Sequence, residues 1–231
     1  MEPELYIVKY PWKTEYAEED VLDNVNYDAS KAERCPLCGR RVSGSFWMQP
    51  REVVLTNRRT PDFLYSYSSE APFLISERAL TVIRQKGLTG IKNVQEIEYT
   101  RFKRKGKKEV PIPKYYYIEL ARSSMTINHE KSVIVYGNQK EGTYAEPCLL
   151  CRPVPGTYDF IRHLEFNMEQ YEGYDIFFTY ELGGEAILSK RFVDVCQANG
   201  LTNLHYRPAA KTGAKEAAYF LDGVESDDEE D

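Results

Sequence analysis

No apolar run in this sequence approaches the roughly 18 uninterrupted residues of a membrane-spanning helix, so a membrane role is not expected. The opening residues, Met1-Glu2-Pro3-Glu4-Leu5, are acidic and lack the basic and apolar regions of a secretory signal, which points to the cytoplasm. Histidine is scarce: His129, His163 and His205 lie far apart and form no ligand pair. A glycine-rich phosphate loop, a nucleophile elbow and an H-E-x-x-H helix are all missing. Acidic residues are plentiful, yet no spacing pairs two of them for acid–base work. These absences argue against an enzyme.

The remaining composition is that of a soluble globular protein, with 42% hydrophobic and 29% charged residues. Net charge is −6, but much of it sits in the run Glu225-Ser226-Asp227-Asp228-Glu229-Glu230-Asp231, expected to be disordered and solvated. Without that run the body is close to neutral. Against it stands a basic cluster, Arg101-Phe102-Lys103-Arg104-Lys105-Gly106-Lys107-Lys108. Its plain interpretation is an exposed hairpin tip between the apolar stretches around Val94–Tyr99 and Tyr115–Leu120. Contact with nucleic acid is the sharper alternative, and one short patch supports it weakly.

What the sequence does have is two C-x-x-C pairs, Cys35-Pro36-Leu37-Cys38 and Cys148-Leu149-Leu150-Cys151. Two thiolates on one tight turn can grip one face of a tetrahedral metal, and two such turns complete a four-sulfur site. A reducing cytosol favours metal over disulfides. The expected cofactor is one structural zinc held by Cys35, Cys38, Cys148 and Cys151. A thioredoxin-type redox pair and an iron–sulfur cluster are weaker readings. His163, 12 residues after Cys151, could replace a sulfur if the two pairs do not meet. The fifth cysteine, Cys196, falls in a predicted helix and reads as a small buried apolar residue.

Cys35 and Cys148 are 113 residues apart, as are Cys38 and Cys151, and the same shift aligns other positions. Glu52 falls on Glu165, Asp62 on Asp175, Tyr67 on Tyr180, Ser76 on Ser189, Arg78 on Arg191 and Val82 on Val195. Gly87-Leu88-Thr89 falls on Gly200-Leu201-Thr202. With Leu37/Leu150 these make 12 identities without a gap, which suggests a duplicated unit. Each copy reads as a cysteine turn, then a strand (Asp62 to Tyr67, Asp175 to Tyr180), then a short apolar pair and a serine N-cap (Ser76, Ser189). Helices follow over Glu77–Lys86 and Lys190–Asn199, closed by Gly87 and Gly200, then strands at Ile91–Tyr99 and Leu204–Tyr206. Extra strands are expected at Tyr115–Leu120 and Ser132–Tyr136. The matched Ser, Arg, Gly, Leu and Thr residues are better explained by capping and packing than by catalysis.

The expected fold class is therefore α+β, with two tandem strand–helix–strand units joined by a four-cysteine zinc site. Residues 1–34 would pack on the first unit, 35–147 form that unit with its extra strands, 148–210 form the second, and 211–231 are an acidic tail. The body 35–210 would be one compact piece.

These residues also resemble the bacterial double-CXXCG motif proteins, several of which are immunity proteins to secreted polymorphic toxins. The resemblance rests on Cys35-Pro36-Leu37-Cys38-Gly39, on Cys148-Leu149-Leu150-Cys151, and on Leu188-Ser189-Lys190-Arg191 with Gly200-Leu201-Thr202. It covers most of residues 35–208 and departs at Arg152, where the motif would have glycine. It implies a zinc-bearing cytosolic protein that takes part in bacterial competition by binding a cognate toxin and occluding its active site. The alternative is a zinc-ribbon nucleic-acid-binding or regulatory module using residues 101–108.

Overall fold

Short segments rich in aromatic and β-branched residues dominate this chain, and such residues suit pleated, half-buried surfaces. The computed structural model describes residues 3–9, 27–44, 46–55, 60–65, 71–102, 111–136, 148–151, 158–182 and 184–210. Among them the elements run β1 (Leu5–Val8), β2 (Tyr27–Asp28), β3 (Phe46–Trp47), β4 (Glu52–Leu55), β5 (Phe63–Tyr65), β6 (Phe73–Ser76) and α1 (Glu77–Gln85). Next come β7 (Ile91–Glu96), β8 (Tyr99–Phe102), β9 (Tyr115–Ser123), β10 (Val133–Tyr136) and β11 (Tyr158–His163). The last are β12 (Ile176–Thr179), β13 (Ile187–Ser189), α2 (Lys190–Ala198) and β14 (Tyr206–Pro208). The fold is mostly β, with two helices on one face of a curled sheet.

The sheet runs β14-β1-β13-β12-β9-β6-β5, with β7 also paired to β9. Strand β9 carries the join. Its first residues pair antiparallel with β6 (Ser76↔Tyr115), and its last pair parallel with β12 (Phe177↔Ala121, Thr179↔Ser123). One strand therefore holds the hairpin β5–β6 at one end and the hairpin β12–β13 at the other.

The buried strands are apolar on both faces, and their alternation sorts side chains between two layers. Phe63, Tyr65, Phe73, Ile75, Ile176, Phe178 and Leu188 face the helices, where Leu80, Ile83, Phe192, Val193 and Cys196 meet them in one shared core. The intervening residues point the other way: Leu64 and Leu74 toward Trp47 and Tyr117, and Phe177 and Ile187 toward Leu5, Ile7 and Phe166. Cys196 is a packed core residue, as its helical position implied, and burial pushes its thiol up to about 12.

Both helices occupy their expected segments with matching ends. The hydroxyls of Ser76 and Ser189 accept from the amides of Ala79 and Phe192, each at 3.1 Å. At the C-termini Leu88 N–H donates to the Ile83 carbonyl and Leu201 N–H to that of Cys196, closing Schellman turns. Gly87 (φ +58°) and Gly200 (φ +60°) take the left-handed residue these turns require.

Two expectations are corrected. The short apolar pairs before the serine caps are full strands, β6 and β13, so each helix is preceded by an antiparallel hairpin rather than a single strand. The N-terminal segment does not pack as one piece on residues 35–147. Strand β1 inserts between β13 and β14 near the other end of the sheet, while β2 pairs with β3. The stretches flanking the basic cluster do pair antiparallel as expected, β7 with β9 (Val94↔Ile118, Glu96↔Tyr116), and β8, which contains Arg101 and Phe102, adds a parallel pairing with β4. Residues 103–108 and the acidic tail from 211 onward lie outside the described residues.

Candidate metal centre

The loop carrying Cys35 and Cys38 is a small folded-back turn. Cys35 N–H donates to the Arg40 carbonyl at 2.7 Å, Gly39 N–H to the Cys35 carbonyl at 2.9 Å, and Val42 N–H to the Glu33 carbonyl at 2.9 Å. Gly39 sits at φ +73°, a conformation that strains any side-chain-bearing residue, so the glycine after the second cysteine is a geometric need of this turn. The Cys148–Cys151 turn brings the backbone N–H groups of Leu150 and Cys151 toward its own first sulfur, which favours the Cys148 thiolate.

The two turns meet. Cys35 Sγ lies 3.8 Å from Cys148 Sγ, and Cys38 Sγ lies 3.5 Å from Cys151 Sγ. All four sulfurs fall within 4.8 Å of one another. A disulfide needs about 2.05 Å, so neither close pair is bonded. A tetrahedral ion with metal–sulfur bonds of about 2.3 Å separates its sulfurs by about 3.8 Å, and the observed spacing fits that donor set. Cys35 and Cys151 are buried, Cys148 is half-buried and Cys38 is exposed.

Four thiols this close titrate against one another. Backbone N–H groups from Cys151 and Leu150 pull Cys148 down to about 6 despite partial desolvation, while burial and the neighbouring sulfurs push Cys151 up. One thiolate forms readily and the next is opposed, a conflict that a divalent cation relieves.

Arg122 ties this cluster to the sheet. It projects from β9 with its side chain 2% exposed, donates to Glu33 at 2.7 Å and to the Thr179 carbonyl at 2.7 Å, and lies over the rings of Phe178 and Tyr180. Tyr180 in turn packs against the sulfur cluster. Sequence patterns gave no sign of Arg122, because its role depends on three segments distant in sequence.

The histidines are engaged elsewhere. His129 contacts Glu181 at 3.0 Å, His163 contacts Glu165 at 2.9 Å and the Ala210 carbonyl at 2.8 Å, and His205 contacts Asn203 at 3.0 Å. His163 therefore replaces no sulfur. Arg101 is ion-paired with Glu52.

A second set of matched residues meets in two buried clusters, and the pairing is crossed. Asp62 (4% exposed) accepts from Ser76 Oγ at 2.7 Å and from Arg78, but also from the backbone N–H (2.8 Å) and hydroxyl (3.0 Å) of Thr202. Asp175 (3% exposed) accepts from Ser189 Oγ at 2.8 Å and Arg191 at 2.7 Å, and from the N–H of Thr89 at 2.9 Å. Each arginine then caps the opposite helix: Arg78 donates to the Gly200 carbonyl and Arg191 to that of Lys86. Burial alone would raise the Asp62 pKa, but the donors Arg78, Ser76 and Thr202 outweigh it and hold it below the usual carboxylate range.

Beside each threonine the chain turns left-handed, at Gly90 (φ +105°) and Asn203 (φ +65°). A Cβ at Gly90 would lie 1.8 Å from the Ile176 carbonyl oxygen, while the Asn203 amide donates to the Phe63 carbonyl at 2.7 Å. The two positions are equivalent under the 113-residue shift but are not identical residues, so an identity count passes over them.

Two comparisons bear on what this architecture is for. A search of the curated proteins returned no match. The model of the Immunity protein family (Imm11) matches residues 16–211, most of the sequence and all four clustered cysteines, and the chain belongs to that family.

Proposed function

We propose that this protein binds and neutralises a cognate bacterial toxin in the cytoplasm, covering the toxin's active site rather than performing chemistry of its own. The observation that carries this reading is membership of an immunity protein family across residues 16–211. We further propose that Cys35, Cys38, Cys148 and Cys151 hold one structural zinc. Bound there, zinc would supply a closed tetrathiolate cross-link between two distant segments, with no open position for a substrate. The donor set and spacing support this, because four sulfurs within 4.8 Å are costly to ionise together without a shared cation.

The 113-residue period and the crossed Asp62 and Asp175 clusters support a further reading, that two copies of one unit interlock around β9. The chain's own residues then make a rigid body: Arg122 and Tyr180 fix the cysteine turns to the sheet, and the clasps fix the two helices. A rigid surface loses little freedom when it docks, which favours tight inhibition.

The test is co-expression with the toxin encoded beside this gene, followed by co-purification. Rescue of growth together with a stable complex is the expected result. Failure of both would remove the toxin-binding reading.

A further inference from the structure

Within the two cysteine turns Leu150 packs against the cysteine cluster, whereas Leu37 and Leu149 point to solvent. Leu37 is 61% exposed and Leu149 77% exposed, the latter the most exposed large apolar side chain among the described residues. With Pro36 and Leu150 they line a shallow, nearly all-apolar groove shared by the two cysteine turns.

Charge sets the rim. Arg34 and Arg40 are exposed on the same folded-back turn as Leu37, and Arg34 donates to the Gly39 carbonyl at 3.0 Å. The nearest acidic residue of that segment, Glu33, is taken up by Arg122. Among the described residues, the cysteine turns thus set exposed guanidinium groups beside an apolar groove.

We infer that this face, the Leu37/Leu149 groove flanked by Arg34 and Arg40, is a contact surface for the toxin, receiving an apolar side chain that projects from an acidic patch. The inference rests on the toxin-binding reading above. A second copy of this chain is a poor occupant, because a twofold contact would bring like arginine rims together. An anionic membrane is a poor one too, because the feature is a groove that receives a side chain rather than a wedge that inserts. The four-sulfur cluster beneath pre-organises both turns, so little ordering is needed on contact.

The experiment measures affinity for the purified, catalytically silenced toxin encoded beside this gene. Leu149→Asp should weaken binding by about 100-fold with zinc content and thermal midpoint unchanged, since the side chain is exposed. Arg40→Glu should cost about tenfold, mainly in association rate and less at high salt. Tyr99→Asp, at an exposed site on β8, should leave affinity unchanged. Wild-type affinity in both Leu149→Asp and Arg40→Glu would overturn the inference while leaving toxin binding intact. So would weakening by Tyr99→Asp alone. A wild-type dimer that Leu149→Asp dissociates, or wild-type binding to phosphatidylserine vesicles that Leu149→Asp abolishes, would overturn it in favour of those occupants. A wild type that binds no toxin would overturn this inference and the toxin-binding reading together.

Discussion

Two devices bring residues 35–147 and 148–210 together, and they work by different chemistry. The Asp62 and Asp175 clasps sit beside the shared core and are complete in themselves, each buried carboxylate facing donors that the chain provides. The cysteine cluster has Cys38 exposed and leaves four sulfurs facing one another. The clasps hold under any condition that keeps the carboxylates ionised. On the proposed metal site, the sulfur join would depend on an ion, so its contribution would scale with metal activity. On that proposal, the fold has one fastening intrinsic to the chain around its helices and one that depends on metal beneath its exposed leucine groove.

The largest effect should come from the conditional join. Cys35→Ser and Cys148→Ser, although 113 residues apart, should lower unfolding free energy equally, by about 4 kcal/mol when free zinc is 1,000-fold above its dissociation constant. Urea unfolding with and without a chelator reads this; unequal losses would mean that the two turns act separately. Next, Asp62→Ala should cost about 3 kcal/mol, because it strands buried donors from two distant segments, and it should leave zinc content unchanged. A cost below about 1 kcal/mol would reduce that clasp to a surface ion pair.

The crossing itself is sharpened by a double-mutant cycle. Thr202→Val should cost about 1 kcal/mol and be coupled to Asp62→Ala, yet be additive with Asp175→Ala. The reverse pattern would break the crossed arrangement. The smallest effect is in acid. Because Asp62 is depressed in the folded protein, the unfolded chain binds its proton first as pH falls. Its contribution is complete above the ordinary aspartate pKa of about 4 and is lost as pH drops through the lower folded value. Asp62→Asn should flatten the acid limb of a stability–pH curve, and an unchanged limb would contradict the assignment.

Local chemistry was readable in the sequence. Ser76 and Ser189, the glycines after each helix, and the amphipathic stripes located both helices, since caps and periodicity act within a few residues. The cysteines announced a cluster because their spacing is nearly diagnostic. What failed was long-range. Asp62 and Thr202 each matched a counterpart under the shift, but identity could not reveal that they bond to each other across the two segments. Strand β6 was read as a mere apolar pair because a strand buried on both faces shows no alternation. Strand β1 gave no clue to its neighbours β13 and β14, because four apolar residues in a row do not name the edge they join. Arg122 was missed because its partners come from Glu33 and Thr179, and nothing adjacent to it marks a buried guanidinium.

The central claim is that one metal ion is shared by both cysteine turns, and metal stoichiometry tests it most directly. Elemental analysis of reduced, purified protein should find about one zinc per chain, lost in Cys35→Ser and in Cys148→Ser alike. Two zincs per chain, none in the reduced wild type, or an ion that survives either substitution would contradict it.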